Sequence, residues 1–175
     1  MSSIAYFGEG VQGITGKPLL MRDMDTNGDG TGSTSMAVDG SVTPVDFFLT
    51  PSAGETFSCH RMMTFVQDGG NFNVDEWGSG QTLVNGIELI HSVAGAETIL
   101  QTIRSSGDLA GIMYDVNYLD FGNGDNVIVG RLTFTKMGSE IYLHDEHTDK
   151  LIIRINDDLT GLTEQRVQVQ GHVIT

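Results

Sequence analysis

The sequence predicts an all-β protein, a β-sandwich that is jelly-roll-like, with long glycine-rich loops and little helix. Three observations carry that expectation. First, residues 44–67, PVDFFLTPSAGETFSCHRMMTFVQ, hold two runs of strand-forming residues hinged between Pro51 and Gly54, which reads as a central hairpin. Second, the later run alternates, with Phe57, Cys59, Arg61, Met63 and Phe65 on one side and Ser58, His60, Met62, Thr64 and Val66 on the other. A long strand with apolar weight on both faces belongs inside a packed sheet rather than at its rim. Third, the 23 glycines against 3 prolines fall between apolar runs without a fixed period, as turn residues do.

Taken in order, residues 2–6 read as a short strand or arm, and residues 8–16 as a glycine-punctuated loop. Residues 17–24 start a strand, with Pro18 suited to its first position. Residues 23–35, DMDTNGDGTGSTS, have almost no apolar content and read as an exposed loop; residues 35–38 follow as a brief strand and 39–43 as a turn. After the central pair, residues 68–81 form a long loop whose Phe72, Val74 and Trp77 fold back onto the core. Residues 83–92 are a strand interrupted at Asn85 and Gly86. Ala96, Ile99, Leu100 and Ile103 recur at helical spacing and predict a short helix.

Residues 112–118, 126–136, 141–143, 151–156 and 165–175 complete the strands. Polar turns lie between them at FGNGDN (121–126), 137–140 and HDEHTD (144–149), and DDLTGL (157–162) is expected to form one helical turn. Roughly eight to ten strands with regular turn signals suit a sandwich or jelly roll. At 175 residues the chain makes one domain, in which residues 1–34 form the N-terminal arm, short strand and Asp/Gly-rich loop and 35–175 the sandwich.

Acidic residues outnumber basic ones 23 to 9, for a formal charge of −14. The nine Lys and Arg are scattered singly, so nucleic acid and anionic membranes are not expected partners. Cys59 is the only cysteine; it forms no intrachain disulfide or Cys-based zinc site and is expected to pack as a small apolar group. No stretch approaches the roughly 18 apolar residues of a membrane-spanning helix, and the N-terminus lacks a signal-peptide pattern, so synthesis in the cytoplasm is expected.

The sharpest local motif is Asp23, Asp25, Asn27, Gly28 and Asp29, which match the first half of an EF-hand-type calcium loop. The second half departs from it, with Thr34 where a bidentate Glu belongs and no amphipathic helices on either side. Asp23, Asp25, Asn27 and Asp29 are therefore candidate calcium ligands in a loop of another type, against the alternative that Asp, Asn and Gly simply make good turns. In HDEHTD, His144 and His147 stand three apart among Asp145, Glu146 and Asp149, a set that can ligate a transition metal, although a hairpin end is polar in any case. Arg61, His60 and Arg131 on long strands call for partners or for exposure of their charged ends. Phe72 and Trp77 suit either a sugar platform or a loop anchor. No GxSxG, phosphate loop or HExxH is present, and no catalytic residue is nominated.

Several runs together, DGSVTPVDFFLTP, RMMTFVQD, LVNGIEL, residues 113–136 with YDV, FGNGD and RLTFTK, and NDDLTGL followed by VQVQG, resemble a family of tailed-bacteriophage virion structural proteins. The likeness spans about residues 39–171 and carries no catalytic residues. It implies a non-enzymatic particle component, a head decoration or cement protein on the outer capsid surface, with other virion proteins such as the major capsid protein as partners and assembly as a homo-oligomer in the virion. The alternatives are a neck, collar or tail structural protein, or, from a different class, a calcium-dependent carbohydrate-binding jelly-roll module using the Asp23 to Asp29 loop and Trp77; a glycan hydrolase is a more distant one.

Overall fold

The computed structural model describes residues 19–70, 76–78, 82–111, 114–120, 126–134 and 140–174. The expectations for residues 2–6 and 8–16, for Phe72 and Val74, and for most of the turns at 121–126 and 137–140 lie outside these residues. The chain is all-β, built of two antiparallel sheets. Among the described residues the strands are β1 (Leu20–Asp23), β2 (Val45–Leu49), β3 (Thr56–Asp68), β4 (Ile87–Val93), β5 (Ala96–Ile103), β6 (Tyr114–Asp120), β7 (Asn126–Thr133), β8 (Ile141–His144), β9 (Lys150–Ile155) and β10 (Glu164–Val173), with one short helix, α1 (Ser106–Gly111). One sheet runs β1-β10-β3-β7-β6 with β8 also on β3, and the other runs β2-β9-β4-β5.

Both sheets contribute to one apolar core. Phe47, Leu89, Ile153 and Ile155 come from the four-stranded sheet, and Met62, Val66, Leu132 and Val169 from the six-stranded one. Met24 and Met36 are fully buried in the same core, so the described residues on either side of position 34 form a single body.

β3 is the interior strand its length predicted, flanked by β10 on one side and by β8 and β7 in succession on the other. Its faces differ from the simple alternation. Phe57 and Cys59 point into the core, but beyond them Met62, Thr64 and Val66 do, while Arg61, Met63 and Phe65 turn outward. The physical reason is a bulge. Opposite β10 the register runs Gln170↔Arg61 and then Gly171↔Cys59, leaving His60 as the extra residue, which exchanges the two faces. The bulge also marks where β8, paired to 56–59, gives way to β7, paired to 61–68. Gly171 is required there, because a Cβ would run into the Ser58 carbonyl and the Phe57 ring.

Four other expectations are corrected. Residues 44–67 are not a hairpin: β2 pairs with β9 and β3 with β10, so the turn near Gly54 carries the chain from one sheet to the other. Hydrogen-bond partners are set by the whole fold, and a local turn signal does not specify them. The helix expected over 96–103 is strand β5, joined to β4 by the two-residue turn Ala94-Gly95, both with positive φ (51° and 83°) as a type I′ hairpin turn demands. The helix falls instead at α1, where Ser105 and Asp108 exchange backbone-to-side-chain hydrogen bonds in a capping box. Residues 157–162 do not make a helical turn: Asp158 closes a tight turn on Thr160, and the Asp157 carboxylate reaches away to the backbone of Val84, Asn85 and Gly86. No strand forms at 35–38.

The winding alternates between sheets at β1–β2, β2–β3, β3–β4, β5–β6, β8–β9 and β9–β10, while β4–β5 and β6–β7 are hairpins within one sheet.

Candidate functional site

The Asp/Gly-rich loop between β1 and β2 is less exposed than its composition predicted. Met24 and Asp25 are both fully buried. Asp25 forms an antiparallel bridge with Phe48, its amide donating to the Phe48 carbonyl at 3.3 Å and its carbonyl accepting from the Phe48 amide at 2.8 Å. The loop therefore closes the outer edge of β2 and ties β1 of one sheet to the free side of the other. Gly28, at φ 78°, sits against the Phe48 ring, where any Cβ would overlap ring atoms.

The four candidate calcium ligands are not brought together. The Asp25 carboxylate accepts from the amides of Asn27 (2.8 Å), Gly28 and Gly32 (3.1 Å). Asp29 accepts from the Thr31 amide and hydroxyl, which hold its carboxyl below the usual range. Asn27 donates to the Thr31 hydroxyl, and Asp23 accepts from the Gln168 side-chain amide at 2.8 Å. Both Asp25 oxygens are taken by backbone amides, and Asp23 and Asp29 each give one oxygen to a neighbouring donor, an arrangement of nested Asx turns.

Beside this loop is a cleft of about 320 Å³ lined by Arg22, Asp23, Asp29, Leu49, Thr50 and Pro51 among others. Its cation is neutralised: Arg22 forms a two-pronged pair with Glu55 at 2.6 and 2.7 Å. That contact, above all, holds the Glu55 carboxyl below its ordinary value against the opposing effect of burial.

The HDEHTD turn is a 3-10 turn, Asp145–His147, closed by Thr148 in the left-handed region. Its backbone is clamped from three sides. The buried Asp149 carboxylate accepts from the amides of His144 (3.0 Å) and Ala94 (3.1 Å), and Asp145 accepts from the Gly54 amide at 2.8 Å. His144, Glu146 and His147 are left as a cluster whose ligating atoms all lie within 4.8 Å of one another, the one such cluster of three among the described residues. His144 Nδ1 lies 3.2 Å from the Thr56 hydroxyl, and His147 Nε2 lies 3.6 Å from Glu146.

The remaining candidates resolve individually. Trp77 is buried and donates from Nε1 to Gln165 at 2.8 Å, so it anchors its loop and has no open face for a sugar. Cys59 is buried, and burial pushes its thiol up to about 12, leaving it protonated at neutral pH. His60 stacks edge-on against His172 at 4.6 Å; burial and that neighbour push its pKa down, partly offset by Glu140. Arg61 and Arg131 are half-buried on the outer face of the six-stranded sheet.

Two features escaped sequence reasoning. Arg154 on β9 grips Asp46 of β2 and Glu97 of β5 in a cross-strand network, which raises its pKa. Asp157 accepts the three successive amides of residues 84–86, which ties the run LVNG to the run NDD. The chain finds no match among known protein families, curated proteins or solved structures.

Proposed function

We propose that this chain is a non-enzymatic structural component of a tailed-phage particle, a decoration or cement protein on the outer face of the head that works by burying surface against neighbouring subunits. The observation that carries this reading is the pair of terminal strands. Among the described residues, β5 ends the four-stranded sheet with Ile99 at 54% exposure, and β6 ends the six-stranded sheet with Tyr118 at 47% and Leu119 at 46%. A terminal strand with outward apolar side chains offers both backbone hydrogen bonds and apolar area to a neighbouring chain. The charge of −14 favours an outer surface over one facing packaged DNA, and the resemblance of residues 39–171 to virion proteins supplies the setting.

Cosedimentation with heads that lack the protein, beside purified tails, tests the reading. Saturable binding to heads at a symmetry-related copy number, with heads then more heat-resistant, is the expected result. Binding to tails or necks alone would move the role there, since the same edges serve a ring as well. Binding to neither would overturn the proposal.

A further inference from the structure

We propose that the turn at residues 144–149 binds a divalent transition ion of the zinc type through His144, Glu146 and His147. A 3-10 turn has about three residues per turn, so residues three apart eclipse one another. His144 and His147 accordingly face each other with ring centroids 5.3 Å apart, and Glu146 lies beside them. Two imidazoles and a carboxylate suit borderline divalent ions and leave a coordination position for water.

The division of labour within the turn separates this reading from that of a merely polar hairpin end. The side chains that hold the backbone here belong to other residues: Asp149 holds two amides, Asp145 holds the Gly54 amide, and Thr148 takes the left-handed position. His144, Glu146 and His147 satisfy none of these backbone groups with their side chains. His144 is further oriented by the Thr56 hydroxyl at Nδ1, which leaves Nε2 for an ion; an outer hydrogen bond on a ligating imidazole has this orienting effect. His147 and Glu146 are exposed, so an ion reaches them directly from solvent. The turn is held rigid before any ion arrives, which reduces the ordering cost of binding. This inference stands whether or not the particle reading does.

Titration calorimetry of zinc chloride into the full chain, in a buffer that does not bind metal, tests it. The expected result is one ion per chain. His147→Ala and Glu146→Gln, both at exposed positions and expected to leave the circular dichroism spectrum unchanged, should each weaken binding at least about tenfold, and Thr56→Val should weaken it by about tenfold through His144. His60→Gln should leave it unchanged. The proposal is overturned if the full chain shows no one-to-one binding. It is equally overturned if the His147→Ala/Glu146→Gln double variant keeps its affinity within about twofold, or if His60→Gln abolishes binding, which would place the ion on the His60 and His172 pair.

Discussion

The loop after β1 and the turn after β8 are both acidic and put their carboxylates to opposite uses. Both carry metal-ligand spacing in the sequence. In the first, each of Asp23, Asp25 and Asp29 gives at least one oxygen to a donor within the fold, and Asp25 gives both, holding three amides. In the second, two aspartates hold the backbone and the two histidines and Glu146 converge free of that task. What separates them is local backbone shape. A glycine-rich loop that curls around a carboxylate presents its own amides to it, and those amides compete with any cation. A 3-10 turn directs side chains of equal spacing to one side, where they meet each other.

The comparison breaks most visibly at Asp25. Asp25→Ala leaves three amides without an acceptor at a fully buried position and should cost about 2–4 kcal/mol, read as a fall of several degrees in melting temperature. Asp29→Ala, at an exposed site, should leave the melting temperature unmoved, and the melting curves in calcium and in chelator should coincide for the unsubstituted chain. A calcium-dependent loss confined to Asp29→Ala would make the first loop an ion site and erase the contrast.

Asp149→Ala tests the other side. It removes the acceptor of the His144 and Ala94 amides, for about 1–3 kcal/mol. It should also weaken zinc binding, because the backbone that eclipses the two imidazoles loses its clamp. Loss of stability with unchanged zinc affinity would show that the turn is not held in place by Asp149.

How much of this was legible follows from how local each signal is. β3 announced itself by length and apolar content, and the run from Glu164 to Val173 by its alternation, because both are properties of a single stretch. The His60 bulge was not legible: nothing near His60 marks an extra residue, and its only trace is Gly171, far away in sequence and required by close backbone approach. The exchange of β2 and β3 between sheets was hidden for the same reason. Other misses had signals present. Ala94-Gly95 between two strand-like runs is a hairpin cue that outranks the chance helical spacing of Ala96, Ile99, Leu100 and Ile103, and the Ser105 and Asp108 pair marked the true helix start. Met24, an apolar residue inside an acidic run, was the one hint that its neighbour Asp25 is buried.

The two regions are joined by an ion pair, which gives the contrast a pH dependence. Arg22 precedes the first loop, while Glu55 pairs with it and its carbonyl accepts the Asp145 amide at the start of the second turn. The folded state holds Glu55 below its ordinary 4.5, so the unfolded chain binds the proton more readily. The stability this contributes is present above about pH 4.5 and is lost as the pH falls below it. His60 acts in a higher window. Its folded pKa lies below 6.5, lowered by burial and then by His172, raised by Glu140 and lowered again by Arg61, so stability falls as the pH drops past 6.5. Denaturant midpoints measured against pH should lose the lower part of their slope in Glu55→Gln and the upper part in His60→Gln. A Glu55→Gln profile parallel to the parent's would show that the Arg22 contact contributes nothing to the coupling.

The smallest expected effect lies at Ala94, whose amide serves Asp149 while its φ of 51° is one that alanine adopts at a cost. Asparagine tolerates that conformation and is favoured in type I′ turns, so Ala94→Asn should stabilise the chain by less than about 1 kcal/mol. Because the clamp uses only the backbone amide, zinc affinity should not change. Ala94→Pro has no amide to donate and cannot take a positive φ, so it should both destabilise the hairpin and loosen the ion site. If Ala94→Asn altered zinc affinity, side-chain bulk near the turn and not the Asp149 clamp would govern the geometry of His144 and His147.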